Sequence, residues 1–266
     1  MNAARKAYAE IKEIDELVLG DSPVHRLSPL SKLAVTFIYI LTVVSFNRYD
    51  ITGLFVMVLV PVIGYQASGI PVSKCFSKLW PVMPMVCAVG LFNPLFDREI
   101  MLYVGPLAVS GGVISMLTLM MKGVFCVMAS FLLVATTPID EICRALRQIR
   151  IHRMFISLLL LTYRYITVLL NEAAVMTDAY HLRAPRQKGI QFSAWGSFLG
   201  QLLLRSMDRT QELYESMVMR GFEGEFHYAR TRAASAYSVP FALICSAAVV
   251  LMRFYNISAA LGSLFV

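Results

Sequence analysis

The chain has 266 residues, of which 58% are hydrophobic and 15% are charged, and its mean hydropathy is +0.64. Soluble domains are about 45–50% apolar and about 25% charged, so this composition excludes a disordered chain and a soluble enzyme of this size, and it indicates a polytopic membrane protein. The formal net charge of +7 is explained by basic cytoplasmic loops that face anionic lipid headgroups, and it does not require nucleic acid as a partner.

Residues Asn2 to Gly20 are rich in charged side chains and lack the apolar core of a secretory signal, so we expect a short polar helix or loop before the first span. A helical span of a bilayer about 30 Å thick takes about 20 residues. The apolar runs that approach this length are Leu33–Phe46, Ile51–Tyr65, Leu79–Phe96, Gly112–Thr136, Met154–Leu170 and Ser235–Met252. The first two reach it if Ser31–Lys32 and Gln66–Ser68 continue the helices.

The basic residues are concentrated late in the chain. The stretch Arg144 to Arg232 holds 13 of the 24 lysines and arginines, which makes it cytoplasmic by the positive-inside rule. Four spans that start from the cytoplasm return the chain there at Thr137. Arg164 lies near the middle of Met154–Leu170, where a cation costs at least about 2.5 kcal/mol on insertion scales. We therefore predict that this run packs at the cytoplasmic interface, which leaves five spans and an external carboxyl end.

The predicted fold is an all-α polytopic membrane protein with about five transmembrane helices and long amphipathic cytoplasmic helices. It forms a single domain over residues 1–266. Its parts are a cytoplasmic segment (1–32), four spans (33–136), a cytoplasmic helical region (137–232), and a last span with its tail (233–266).

Three helices are predicted in the cytoplasmic region. The first starts at Thr137-Pro138-Ile139-Asp140, which places a hydroxyl at the cap, proline at the first helical position and an acid at the third. Its apolar stripe consists of Ile139, Ile142, Leu146 and Ile149. The second helix runs from Met154 to about Arg183. The third runs from about Phe198 to Arg220, with Gly221 as the left-handed residue that ends it.

The third helix is amphipathic. Its apolar face consists of Leu199, Leu203, Met207, Tyr214 and Met217. On its polar side we expect the ion pairs Arg205–Asp208 and Arg209–Glu212.

The chain contains no phosphate-binding loop, no GxSxG motif and no paired catalytic acids. Its four histidines are isolated (His25, His152, His181 and His227), and its five cysteines form no CxxC pair, as expected of small buried apolar residues. The sequence therefore predicts no catalytic residue, no metal site and no cofactor. The fifteen methionines are compatible with soft-metal transport, but plain packing is strongly favoured.

Three cations remain open to two interpretations each. Lys122 lies inside an apolar run, where it faces a polar path or a partner subunit, or else is bonded to a carbonyl within the bundle or marks a break in the helix. Arg183 and Arg220 each end an amphipathic helix. Each complements the helix dipole in water, or else leaves the protein and docks in a partner's groove through its planar guanidinium.

Several fragments in a specific order resemble the transmembrane T component of energy-coupling factor ABC transporters, and most closely its cobalt-type CbiQ branch. They are Asp21-Ser22-Pro23-Val24-His25-Arg26-Leu27-Ser28-Pro29, Lys32-Leu33, Thr136-Thr137-Pro138, Tyr163-Arg164-Tyr165-Ile166, Asn171-Glu172-Ala173 and Met219-Arg220-Gly221-Phe222-Glu223-Gly224-Glu225-Phe226. The resemblance extends over nearly the whole length of the chain.

The resemblance implies two coupling helices that end in short Ala-Arg-Gly motifs and dock into grooves of paired ABC ATPase subunits. The first motif is similar to Leu182-Arg183-Ala184, and the second to Met219-Arg220-Gly221. Both arginines match, but Ala184 replaces a glycine and Met219 an alanine. The resemblance therefore assigns ATPase docking to Arg183, Ala184, Met219, Arg220 and Gly221.

The same resemblance implies a non-catalytic, multi-pass subunit of a bacterial or archaeal cell membrane. It would convert ATPase motion into movement of a separate substrate-capturing membrane subunit of the cobalt-binding type, most simply for cobalt uptake. Two alternatives stay open: a T component that serves nickel or a vitamin, and a stand-alone secondary transporter. The second would need paired discontinuous helices and intramembrane acids, and the predicted spans contain almost no acids.

Overall fold

The computed structural model describes residues 3–96, 100–104, 107–185, 187, 189–224, 226 and 237–254. Eleven helices and one β-hairpin lie in these ranges. The elements are α1 (Ala3–Val18), α2 (Pro29–Ser45), α3 (Ile51–Val56), α4 (Leu59–Ser68), α5 (Val72–Leu79), α6 (Met83–Phe96), β1 (Ile100–Val104), β2 (Leu107–Ser110), α7 (Gly111–Thr136), α8 (Ile139–Gln148), α9 (Arg153–Arg183), α10 (Phe192–Met219) and α11 (Ser238–Phe254). The predicted all-α class is confirmed, with the antiparallel pair of strands between α6 and α7 as a small addition.

The chain divides into two compact units. One, which we call the basic unit, comprises Met1–Glu16 and Pro138–Thr231, and the other, the membrane unit, comprises Leu17–Thr137 and Arg232–Val266. The last of the four predicted spans in 33–136 ends at Thr136. After one connecting residue, the basic unit begins at Pro138.

In the membrane unit, α7 contributes to both buried clusters. The first cluster joins α2, α3, α7 and α11, with Tyr39, Val43, Leu54, Phe125, Ala129 and Val249 among its members. The second joins α4, α5 and α7 through Tyr65, Cys75, Leu79, Met128 and Phe131. The longest helix of this unit is thus its central packing element.

The first predicted span continues through Ser31–Lys32 as the sequence suggested, although the helix has 17 residues and stays shorter than a full span. Helix α2 starts at Pro29, and the Oγ of Ser28 caps it by accepting a hydrogen bond from the Ser31 amide at 3.2 Å. The second run likewise continues through Gln66–Ser68, because α4 ends at Ser68.

The second predicted span is divided at Met57–Val58 into α3 and α4. Pro61 explains the division, because proline has no amide hydrogen and its ring clashes with the carbonyl four residues earlier, which is that of Met57. The buried hydroxyl of Tyr39 donates to this carbonyl at 3.0 Å. A tyrosine from the neighbouring helix therefore satisfies the backbone group that the proline leaves without its normal helical partner.

The third predicted run, Leu79–Phe96, is helical only from Met83, because α5 ends at Leu79 and residues 80–82 form a turn. Pro81 lies within this turn and Pro84 in the first turn of α6, and neither can donate a backbone hydrogen bond. The segment Asp97–Glu99 and the predicted start of the last run at Ser235 lie outside the described residues.

In the basic unit, α1 packs on α9 through two polar contacts. Arg5 pairs with Asp178 at 2.6 Å, and the hydroxyl of Tyr163 donates to Asp15 at 2.7 Å. The N-terminal segment is therefore a helix, one of the two forms expected, and it belongs to the same compact unit as the basic helices.

The predicted cap of α8 is wrong in one respect. The helix begins at Ile139 with Pro138 as its cap residue, so the proline precedes the first helical position. Thr137 is extended, and its buried Oγ makes no hydrogen bond within the described part of the chain. The acidic first turn is confirmed, with Asp140 and Glu141.

Three helical segments are long and apolar enough to cross a membrane, judged by length and composition: 51–68 (α3 with α4), α7 and α9. Shorter apolar helices are Pro29–Ser45, Met83–Pro94 and Ser238–Arg253. Helix α9 thus meets the length criterion, while Arg164 is exposed on it. Our assignment of Met154–Leu170 to the interface stays a prediction.

Candidate docking site

The candidate site consists of the carboxyl ends of α9 and α10, where the two matched arginines lie. Helix α9 ends at Arg183, and the amide of its cap residue, Ala184, donates to the Tyr180 carbonyl at 3.0 Å. Ala184 has φ −131°, so this end contains no left-handed residue at the position where the family motif has glycine.

Side-chain contacts hold the loop that follows α9. The Tyr180 hydroxyl donates to Gln187 Oε1 at 2.7 Å and accepts from the Gln191 amide at 3.4 Å. The Gln187 amide also donates to the Ala184 carbonyl at 3.1 Å. Tyr180 therefore fixes this loop in place of a glycine cap, a role that the sequence analysis missed because its partners are seven and eleven residues away.

Helix α10 ends in a complete Schellman motif. Gly221 has φ +77°, its amide donates to the Val218 carbonyl at 2.9 Å, and the Phe222 amide donates to the Met217 carbonyl at 3.0 Å. These are the two hydrogen bonds that define this cap. The prediction that Gly221 is the left-handed residue that ends the helix is confirmed.

The residues at both ends are accessible. Arg183 and Arg220 are exposed, and the apolar side chains directly before them, Leu182 and Met219, are 84% and 88% exposed. Each end therefore presents a cation beside a bare apolar group, which is the composition of a surface that binds a partner.

The two arginines lie towards opposite ends of α9. The hydroxyl of Ser157, near the start of α9, donates to the Gly224 carbonyl at 3.3 Å, so the loop that follows Arg220 is held there. Arg183 lies 26 residues further along α9, which at 1.5 Å per residue is about 39 Å. Two sites this far apart cannot share one groove, but they suit two separate binding partners.

The predicted ion pair between Arg205 and Asp208 is wrong. The Arg205 guanidinium pairs instead with Glu172 of α9. A contact across two helices offers Arg205 a carboxylate that sequence spacing along one helix does not reveal. The pair also fixes α10 against α9 between the two arginine-bearing ends.

The predicted apolar face of α10 remains open within the described residues. Four of its five side chains, Leu199, Leu203, Met207 and Tyr214, are 53–61% exposed, Met217 is half-buried, and the helix has no buried residue. A helix with four large apolar side chains in water is unfavourable, so this face is suited to a partner or to lipid.

Lys122 is bonded to carbonyls within the bundle, one of the two interpretations that the sequence left open. Its Nζ donates to Phe46 at 2.6 Å and to Val44 at 3.1 Å, and α7 is unbroken around it.

Metal-binding and thiol chemistry find little support in the described ranges. They contain no group of three or more histidine, cysteine, aspartate or glutamate side chains that could hold a metal ion. All five cysteines lie within these ranges, and all are free thiols. Burial raises the pKa of the Cys143 thiol in α8, with a smaller contribution from Asp140, so this side chain stays protonated and packs as an apolar group.

Comparison with known proteins gives consistent matches. The profile of the family described as CbiQ, cobalt transport protein, matches residues 20–229. The energy-coupling factor transporter transmembrane protein EcfT of Leuconostoc gelidum subsp. gasicomitatum is 25% identical over 245 residues, covering 84% of this chain and 88% of the relative.

Two relatives match shorter stretches at higher identity. The cobalt transport protein CbiQ of Rhodobacter capsulatus is 34% identical over 107 residues, covering 39% of this chain and 43% of the relative. The energy-coupling factor transporter transmembrane protein BioN of Rhizobium etli is 36% identical over 81 residues, covering 30% of this chain and 39% of the relative. All three relatives are named as proteins of transport systems, and this chain is likewise a multi-pass membrane protein.

Proposed function

The chain belongs to the CbiQ family of cobalt transport proteins, and from this premise we propose that it is the coupling subunit of an energy-coupling factor importer for cobalt ions. It performs no chemistry itself. Paired ABC ATPase subunits bind and hydrolyse ATP, and the basic unit passes their motion to a separate membrane subunit that captures the substrate.

The observation that carries this proposal is the pair of exposed arginines, one at the end of α9 and one at the end of α10, whose following loop is held near the start of α9. Guanidinium is planar and donates several hydrogen bonds at fixed angles, so it suits a groove lined with carboxylates and carbonyls. The two contacts lie towards opposite ends of α9, since Ser157 and Arg183 are about 39 Å apart along that helix, and this allows each ATPase subunit to hold one helix end. When the two ATPases approach each other, both ends are displaced together.

The rigidity of the basic unit supports the same proposal. The Arg205–Glu172 ion pair, the Ser157–Gly224 hydrogen bond and the contacts of α1 with α9 connect its helices. A unit that is tied at several points moves as one body, which is what a mechanical coupler requires. The exposed apolar face of α10 supplies a surface on which the substrate-capturing subunit can rest.

Cobalt is the proposed cargo because both the matching family and the Rhodobacter capsulatus relative are described by cobalt transport. Relatives named EcfT and BioN are not named for cobalt, and they favour a second candidate, a T component that serves a vitamin-capturing subunit. The metal would be bound by the substrate-capturing subunit and not by this chain.

The test is ATP-driven uptake by the complete complex in proteoliposomes. We expect accumulation of radioactive cobalt that requires ATP and this chain, and metal bound to the purified complex but not to this chain alone. Uptake of a labelled vitamin with no cobalt uptake would establish the second candidate. A complex that transports neither in the presence of ATP would contradict the proposal.

The docking residues are tested by alanine and lysine variants of Arg183 and Arg220, with Arg209→Ala as the matched control on the exposed face of α10. Alanine removes the donors and leaves partner groups unpaired, which costs about 1–3 kcal/mol. Lysine keeps the charge without the planar fork and should restore function only in part. Arg205 is unsuitable as a control because it pairs with Glu172. Normal uptake and normal ATPase pull-down by Arg220→Ala would remove this arginine from the docking site.

A further inference from the structure

Two lysines in the membrane unit cap each other's helices. Lys32, in the first turn of α2, donates to the carbonyl of Thr136, the last residue of α7, at 2.8 Å. Lys122, on α7, donates to the carbonyls of Val44 and Phe46 at the end of α2, at 3.1 and 2.6 Å. The start of α2 at Lys32 thus contacts the end of α7 at Thr136, and Lys122, earlier on α7, contacts the end of α2. Helices α2 and α7 therefore run antiparallel.

The spacing of the two contacts is the same on both helices. Fourteen residues separate Lys32 from Phe46, and fourteen separate Lys122 from Thr136. At 1.5 Å per residue, both segments measure about 21 Å. Tyr39 and Val43 of α2 and Phe125 and Ala129 of α7 lie in one buried cluster between the two lysines.

Both contacts satisfy groups that a helix cannot satisfy itself. The last four carbonyls of an α-helix have no helical partner, and they carry partial negative charge that attracts a cation. At the end of α7, the buried Lys32 also donates to the His25 carbonyl at 3.4 Å. The His25 ring is itself held by Ser22 Oγ at 2.7 Å and faces the Leu17 carbonyl at 3.3 Å.

At the end of α2, a second cation also contacts this helix. Arg253 of α11 donates to the Ser45 carbonyl at 3.2 Å, and its guanidinium lies 4.4 Å from the centre of the Phe46 ring. This end of α2 is therefore bonded to two neighbouring helices.

We propose that Lys32 and Lys122 form a reciprocal pair of caps that fixes the register of α2 against α7, so that α7 moves as a rigid lever. The chain enters the basic unit two residues after Thr136, at Pro138. This is one of the three points where the chain passes between the units, and a displacement transmitted here meets the end of α7 that Lys32 holds. This inference rests on the proposed coupling function and assigns both lysines as positioning residues.

The register makes a sharp demand on geometry. A slip of one residue moves α7 by 1.5 Å along α2, so both lysine stems must change conformation together to keep hydrogen bonds of 2.6–2.8 Å. A single cap leaves the other end free to pivot, whereas two caps about 21 Å apart oppose both sliding and tilting.

The first experiment measures coupling in the assembled complex. Lys32→Met and Lys122→Met should each lower cobalt taken up per ATP hydrolysed by about tenfold, the change in a two-state equilibrium when one charge-assisted hydrogen bond is lost. ATP hydrolysis and ATPase pull-down should persist, which separates uncoupling from unfolding. Lys→Arg at either position should recover part of the ratio, and Lys12→Met, on an exposed face of α1, should leave it unchanged.

The second experiment does not depend on transport. Spin labels at Phe37 of α2 and Leu117 of α7, both on exposed faces, report the distance between the helices in the purified chain. We expect one narrow distance distribution in the parent protein and a broader or shifted one after Lys32→Met or Lys122→Met.

Unchanged distance distributions together with an unchanged uptake ratio would overturn the inference while leaving the coupling function intact. If a methionine variant does not fold, the arginine and glutamine variants decide, because arginine keeps the charged donor and glutamine only a neutral one. Equal behaviour of both with the parent protein would also overturn it. Failure of the parent complex to transport would instead contradict the proposed function, and the distance measurement would still test the caps.

Discussion

Gly221 gives the sharpest test of how the second helix end presents its arginine. Its φ of +77° lies in the left-handed region, and a Cβ added there would meet no atom within 4 Å. Gly221→Ala therefore introduces backbone strain without a steric clash. The strain of an L-residue in this region is about 1–2 kcal/mol, and the lower entropy of the unfolded alanine chain offsets about 0.5–1 kcal/mol of it. The net cost is about 1 kcal/mol.

This cost falls on the last turn of α10, because the Gly221 and Phe222 amides make the hydrogen bonds of the cap. A change of about 1 kcal/mol raises the population of the frayed turn about fivefold. Trypsin cleaves after arginine only when the local backbone opens, so the initial rate of cleavage after Arg220 should rise by the same factor. Mass spectrometry identifies this cut among others.

Gly200→Ala is the matched control, since it makes the same change in the same helix. Gly200 lies in the interior of α10, and its added Cβ also meets nothing within 4 Å. Alanine is favoured over glycine in a helix by about 0.8–1 kcal/mol, so this variant should gain helical stability in the isolated chain. Gly221→Asn should lie between the parent and Gly221→Ala, because asparagine tolerates the left-handed region. If both alanine variants shifted cleavage in the same direction, the assignment of the cap would be refuted.

Three further predictions follow from the same geometry. Tyr39→Phe removes the hydroxyl that donates to the Met57 carbonyl. We expect it to lower the free energy of unfolding in detergent by about 0.6–1.7 kcal/mol, as for hydrogen bonds within membrane proteins. Tyr214→Phe, on an exposed face, should have no effect in the same thermal melt. Arg150 follows α8 with φ +66°, a left-handed conformation that glycine adopts without strain. Arg150→Gly should therefore relieve up to about 1 kcal/mol of strain and raise the melting temperature. A lower melting temperature would contradict the strain at Arg150. A cysteine at Ser193 in a Cys-free chain should react with an impermeant maleimide only after the cells are opened, and labelling of sealed cells would contradict the cytoplasmic placement of the basic unit.

The features that sequence alone predicted correctly are local ones. Gly221 was identified as the end of α10 because only a few residue types adopt a positive φ, and the run from Gly112 was identified because a continuous apolar stretch of that length has few other uses. Both depend on residues close together in the chain, where periodicity and backbone preference dominate.

The errors and omissions arose where a distant residue changed the outcome. Arg205 was expected to pair along its own helix, but Glu172, 33 residues away, lies within reach. The division of the second span needed both Pro61, which is visible in the sequence, and Tyr39, whose hydroxyl makes the division tolerable in an apolar setting. The misplaced cap at Thr137 is an exception with a local cause: its backbone is extended and Pro138 takes the cap position, so its hydroxyl makes no hydrogen bond within the described residues.

The two arginine-bearing ends reach a defined geometry by different routes, and this difference explains how the first motif tolerates its departure from the family pattern. At α10 the backbone itself closes the helix, because Gly221 supplies the left-handed residue. At α9 the residue after Arg183 is Ala184, for which that conformation is strained, and the chain remains at φ −131°. The loop is fixed instead by the Tyr180 hydroxyl, which contacts both Gln187 and the Gln191 amide. A glycine at position 184 would allow a left-handed cap, but the Tyr180 contacts already hold the loop without one. We expect the arginine to be the part of each helix end that a partner recognises, because no other side chain combines a permanent charge with a planar set of donors, and lysine supplies only the charge.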